Sequence, residues 1–114
     1  MAYRKVKVAE SARNMKNAWT QLKLGSVEDF DVKLAIYQGD YNLHVHENHD
    51  EFIYVLNGEI KIKIKDEIVI LKSGDGLFIQ KGTRHKPFCE NRAEVLLFER
   101  NTILNDYKLL DEGA

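Results

Sequence analysis

Three of the chain's four histidines, His44, His46 and His49, fall within six residues, and Asp50 and Glu51 follow directly. If Tyr41 to His46 is a strand, His44 and His46 project to one face, because side chains alternate across the pleat. Two imidazoles so placed can bind one metal ion together. Glu47 to Asp50 is polar enough to reverse the chain, and Glu51 then opens the next strand beside the two histidines, where a carboxylate can supply a third ligand. A helical zinc-protease site needs His-Glu-x-x-His, and His46-Glu47-Asn48-His49 is one residue short of it. His49, in the presumed loop, reads as solvent-facing. The plainer alternative makes His44 and His46 satisfied polar residues on a half-buried strand. Glu51 weakens it, because carboxylates are rarely buried without a partner.

The elements that must hold these residues are strands. Glu59 to Lys65 alternates isoleucine and lysine, which gives an apolar face and a solvated one. Asp66-Glu67 then turns the chain into Ile68 to Leu71. Val32, Leu34 and Ile36 alternate with Lys33, Ala35 and Tyr37, and further strands are expected over Thr20 to Val27, Leu77 to Gln80, Lys86 to Cys89 and Val95 to Glu99. Gly39, Gly58, Gly74 and Gly76 stand where turns are expected. Short strands at this spacing predict an all-β sandwich or barrel. Only Ser11 to Trp19 reads as helical, with Ser11 as its cap. The tail after Leu104 carries little pattern and is expected to fray in part.

Composition narrows the function classes. At 114 residues the chain suits one domain, and 44% hydrophobic with 31% charged residues is ordinary for a globular protein. A net charge of −1 offers no basic field for nucleic acid. No apolar run approaches the roughly 20 residues of a membrane span, and the first ten residues lack the apolar centre of a signal peptide. The single cysteine, Cys89, excludes an internal disulfide framework and a multi-cysteine zinc site. A reduced, cytoplasmic setting is the expectation.

The region from Gly39 to Cys89 resembles the cupins. Their first motif runs glycine, about five residues, His-x-His, three or four residues, glutamate, six residues, glycine. Gly39, His44, His46, Glu51 and Gly58 follow it, with the first interval one residue short. The second motif runs glycine, five residues, Pro-x-Gly, two residues, histidine, three residues, asparagine. Gly74, Gly82 and His85 fall on it, while Gln80 stands at the proline position and Cys89 at the asparagine position. The resemblance implies a double-stranded β-helix, a jelly-roll barrel with a metal held by three histidines and a glutamate. It adds His85 as the ligand that strand reasoning could not place. The implied metal site is His44, His46, Glu51 and His85. Residues 1–114 then form one cupin domain: an arm over about 1–19, a barrel over about 20–104 and a tail over 105–114.

Three imidazole nitrogens and one carboxylate oxygen suit a divalent transition ion, Mn, Fe, Co, Ni or Zn. On an octahedral ion two positions stay open for water, dioxygen or a bidentate substrate. The histidines must be neutral to bind, so affinity falls with pH through the histidine range. Cys89 reads as a small buried hydrophobe, or else as a thiol near the metal. Tyr37, Tyr41, Tyr54, Phe78 and Phe88 are core or pocket residues, and Gln80 and Arg84 are the polar candidates for substrate contact. No general base is evident outside the ligand set. The fold hosts dioxygenases, isomerases and sugar-binding proteins, so two readings stand. One is a metalloenzyme of dioxygenase or isomerase type acting on a small oxygenated molecule. The other is a non-catalytic module that binds a sugar-like ligand. Exposed sheet edges also predict a homodimer, covered by the segment from Val6 to Trp19; sedimentation is its check.

Overall fold

The computed structural model describes residues 2–101 and 107–110. After a short helix α1 (Val8–Asn14), the chain runs through nine strands: β1 (Gln21–Val27), β2 (Phe30–Asp40), β3 (His44–His46), β4 (Glu51–Asn57), β5 (Glu59–Ile64), β6 (Glu67–Lys72), β7 (Gly76–Ile79), β8 (Lys86–Arg100) and β9 (Tyr107–Leu109). Seven of them form an antiparallel sheet in the order β1-β2-β8-β4-β7, with β5 attached to β8 and β6 to β5. β3 pairs with β9, and a bridge between His44 and His85 ties it to the chain just before β8.

β8 explains how the sheet curls. The sequence suggests two strands here, Lys86 to Cys89 and Val95 to Glu99, separated by the polar Glu90-Asn91-Arg92. The structure makes them one strand of 15 residues that changes partners along its length. Its first part pairs with β5, and its later part lies between β2 and β4. Gly39, expected in a turn, instead follows a bulge inside β2, at φ +87°. Gly58 does sit in the β4–β5 turn, at φ +106° with room for no side chain: an added Cβ would meet Ala93 at 3.0 Å.

The core follows from alternation. Val55, Ile60, Ile62 and Val95 are fully buried, and Ile53 and Leu97 are 1% exposed. Each such side chain stabilises the fold by about 1.5–3 kcal/mol through removal from water. Lys63 and Lys65 face solvent, as the Ile/Lys alternation requires.

Two further expectations need correction. The helix begins three residues before Ser11 and ends at Asn14, not at Trp19. Ser11 does not cap it; its hydroxyl donates back to the Lys7 carbonyl at 2.9 Å. Arg92 ends the helix from outside, donating to the carbonyls of Ala12 (2.6 Å) and Met15 (2.8 Å). This anchors the arm on its own chain, with Ala12 completely buried. Within the tail, Tyr107–Leu109 forms β9; residues 105–106 and 111–114 lie outside the described residues, so the expected partial fraying falls there. No helix among the described residues is long and apolar enough to cross a membrane.

Candidate functional site

His44 and His46 lie on one face of β3, as alternation requires. His85 meets them because reciprocal backbone bonds join it to His44: His44 N–H to His85 O at 3.0 Å, and His85 N–H to His44 O at 2.9 Å. The loop between β3 and β4 is held against the second motif by Gly82 N–H donating to His46 O (2.8 Å) and Lys81 N–H to the Asp50 carboxylate (2.9 Å). One ligand atom from each of His44, His46 and His85 lies within 4.8 Å of the others. The Glu51 carboxylate stands 3.7 Å from His46 Nε2 and 3.8 Å from His85 Nε2. The three histidines named from the sequence therefore converge on one point, with the Glu51 carboxylate beside two of them.

Their ring orientations suit a shared ligand. His44 Nδ1 lies 2.8 Å from the Asn42 carbonyl, and His85 Nδ1 2.9 Å from that of Thr83. A carbonyl only accepts, so each neutral ring carries its proton on Nδ1 and keeps the Nε2 lone pair. His85 Nε2 is buried with no hydrogen-bond partner among the described residues. Burial pushes the His85 pKa down to about 4, helped by the neighbouring His44 and opposed by the Thr83 bond. Burial likewise lowers that of His44, with His46 adding to the effect. Both are thus in the form that coordinates metal.

A second polar group adjoins the first, and sequence reasoning missed it. His49, read as solvent-facing, is buried at 7% exposure, because the loop folds inward. Its Nδ1 lies 3.0 Å from the Asp50 carbonyl, and its Nε2 3.9 Å from Glu99. Lys33 donates to the other Glu99 oxygen at 2.8 Å. His46, His49 and Glu99 also bring ligand atoms within 4.8 Å of one another. The Tyr37 hydroxyl is held protonated: burial, and then the charges of Glu51 and Glu99, push its pKa well up. The signal for Glu99 was present in the sequence, since Val95, Leu97 and Glu99 share one face of β8.

These groups line a cavity of about 290 Å³, with Ala35, Ile53 and Leu97 as apolar lining. Trp19 and Tyr41 form one wall, their ring centroids 4.8 Å apart, and Tyr41 meets His44 edge-on at 5.3 Å. Of the aromatic candidates, Tyr37 and Tyr41 line this cavity, whereas Tyr54, Phe78 and Phe88 do not. Gln80 and Arg84, the proposed substrate contacts, are exposed and lie outside it. Cys89 belongs to the apolar core, where burial raises its pKa, so it is the small hydrophobe and not an active thiolate.

The sequence model of the cupin domain (Cupin_2) matches residues 33–99, which carry every residue of the convergent set. The chain belongs to the cupin family. It is 40% identical over 76 residues to the uncharacterized protein YdbB of Bacillus subtilis (strain 168), covering 66% of this chain and 67% of that one. It is 33% identical over 77 residues to the tetracenomycin polyketide synthase protein TcmJ of Streptomyces glaucescens, covering 67% of this chain but only 50% of the relative. Among solved structures, a cupin-2 domain protein from Shewanella frigidimarina NCIMB 400 superposes with a TM-score of 0.81 at 23% identity, over 83% of this chain and 93% of that one. Hydroquinone 1,2-dioxygenase from Sphingomonas sp. TTNP3, with 4-hydroxybenzoate bound, superposes with a TM-score of 0.69 at 15% identity, over 82% and 72%. The fold of this cupin is the double-stranded β-helix that the motifs imply.

Proposed function

We propose that this cupin is a metal-dependent protein, of dioxygenase or isomerase type, that acts on a small oxygenated molecule bound in its cavity. His44, His46, Glu51 and His85 would hold a divalent ion such as Mn, Fe, Co, Ni or Zn. The observation that carries this reading is the convergence of three imidazoles from two distant motifs with a carboxylate beside two of them, the buried His85 Nε2 having no hydrogen-bond partner among the described residues. Nitrogen and oxygen donors in this ratio fit first-row transition ions. When bound, such an ion supplies Lewis acidity or redox chemistry.

The protein's own residues supply the rest. The carbonyls of Asn42 and Thr83 fix two imidazole orientations before any ion arrives, as outer partners of metal ligands do elsewhere. Glu99, held by Lys33, and the protonated Tyr37 present an acceptor and a donor to a ligand in the same cavity. Ala35, Ile53 and Leu97 exclude water from its apolar side. These cavity groups outside the ligand set favour an enzyme over a passive carrier. The alternative is a non-catalytic binding module for a sugar-like molecule.

Elemental analysis of protein purified without an affinity tag tests the reading, beside a Glu51→Ala, His85→Ala double variant. Near-stoichiometric transition metal in the native chain, lost in the variant, is expected. No metal in either protein after reconstitution would overturn it. Iron would direct attention to dioxygen chemistry; the other ions leave isomerisation and binding in play.

A further inference from the structure

The large sheet has a second face, turned away from the cavity, and that face is apolar. Alternation sends Glu51, Ile53, Leu97 and Glu99 inward, so the residues between them point out. Register lines these up in straight rows across the strands: Phe78, Phe52, Phe98 and Val32 in one row, Tyr54, Leu96 and Leu34 in the next. The phenylalanines form a continuous stack. The ring centroids of Phe52 and Phe78 are 4.4 Å apart, and those of Phe52 and Phe98 5.7 Å.

The chain covers only half of this face itself. The N-terminal arm lies on the β1–β2 side, where α1 packs against β2 and Arg4 donates to the Leu24 carbonyl. Leu34 and Ile36 point outward there, yet they are 0% and 1% exposed. Across β8, β4 and β7 the face is bare among the described residues. Phe78 is 79% exposed, and Phe52, Tyr54, Leu96 and Phe98 are only half-buried. A stack of rings left at the surface beside a covered half marks a contact. The arm cannot supply that contact while Arg92 holds it at Ala12 and Met15 on its own chain.

Charge at the ends of the patch says what kind of surface fits it. Arg100 stands 3.8 Å from Asp29 at one end of β8, and Arg92 stands 3.2 Å from Glu94 near the other. Each end thus carries both signs. A uniformly acidic or basic partner would meet like charge at both ends, whereas a second copy related by a two-fold finds an opposite charge at either. Four strands about 4.8 Å apart and five residues at about 3.4 Å each cover on the order of 300 Å² in projection. Rings that stand out of the sheet raise the accessible area above that, toward the roughly 800 Å² per partner of a standard interface once the charged ends join it.

We infer that the outer face of β7, β4 and β8 is the contact surface of a two-fold homodimer, with Phe78 as its principal anchor and the N-terminal arm outside the interface. Sedimentation of the full chain from nanomolar to high-micromolar concentration tests this. The native chain should reach twice its monomer mass and grow no further. Phe78→Glu should weaken dimerisation by at least about a hundredfold, because an anchoring ring is lost from both copies. Its circular dichroism should be unchanged, since the side chain is exposed in the single chain. Phe78→Ala, which adds no charge, should weaken it by about tenfold or more and covers the case in which the glutamate disturbs β7. Two controls carry the same charge elsewhere: Ile70→Glu on β6, at a residue 52% exposed, and Tyr3→Glu on the arm, at one 79% exposed. Both should remain dimers. A native chain that stays monomeric or assembles without limit would overturn the inference. So would a dimer indifferent to Phe78, or one that Tyr3→Glu dissociates.

Discussion

The inward face of the barrel changes character along single strands. β4 presents Glu51, Ile53 and Val55 in turn; β8 presents Val95, Leu97 and Glu99; β2 presents Lys33, Ala35 and Tyr37. Toward one end the inward residues are Val55, Val95, Ile60 and Ile62, all fully buried. Toward the other they are ionisable groups, of which Glu51, Glu99 and His85 are at 7% exposure or less. Backbone geometry is common to both ends, because the same ladders run through each. The closed end gains stability from burial, whereas the open end pays desolvation and places like charges opposite each other, since Glu51 and Glu99 are direct cross-strand partners. The contrast separates what holds this cupin together from what it is built to bind.

The largest effect should come from damaging the closed end. Ile62→Ala removes a fully buried side chain from the centre of the apolar cluster and should cost about 2–5 kcal/mol. Urea unfolding measures it. Metal bound per folded molecule should not change, because Ile62 is none of the four residues that would hold the ion. A parallel fall in metal occupancy would show that the two ends are not separable.

A somewhat smaller effect belongs to the open end and depends on pH. In the metal-free protein His85 titrates at about 4, while a histidine in the unfolded chain titrates near 6.5. Between those values the unfolded state binds more protons, so stability rises with pH. It is fully present above about pH 6.5 and is lost as pH falls toward 4, by about 3 kcal/mol from His85 alone. His44 shifts in the same direction and adds to the slope. Unfolding midpoints across this range, compared with those of His85→Leu, isolate the contribution. An identical slope in the variant would contradict it.

How much of this was legible in the sequence also divides along the two ends. Period-2 alternation carried the closed end, because isoleucines and lysines sort by face whatever their partners. It also paired His44 with His46 and brought Glu51 beside them. His85 lies outside its reach: a bridge across 41 positions is a tertiary fact, and only the spacing of the second cupin motif supplied it. His49 is illegible in the sequence because a polar loop is expected to face water, whereas Lys81 and Gly82 draw this one inward. The polar Glu90-Asn91-Arg92 interrupts the alternation that marks β8, and the strand continues through it by exchanging β5 for β4 and β2 as neighbours. Ser11 to Trp19 reads as helical, and no local pattern announces that Arg92 ends the helix at Asn14, five residues before Trp19.

The smallest effect is the one that most sharpens the contrast, because its two readouts should move in opposite directions. Glu51→Gln keeps the size and hydrogen-bonding shape of the side chain but removes its charge. In metal-free protein this relieves the cross-strand repulsion with Glu99, and stability should rise by about 0.5–1 kcal/mol at neutral pH. The same change deprives a divalent ion of its only anionic ligand in the set, so metal affinity should fall by about tenfold or more. Urea unfolding with a chelator present and a competition assay with Co(II) read the two quantities separately. A less stable metal-free variant would mean that Glu51 is a structural residue whose position near the imidazoles is incidental. Opposite signs would mean that the fold tolerates a destabilising carboxylate at this site because binding requires it.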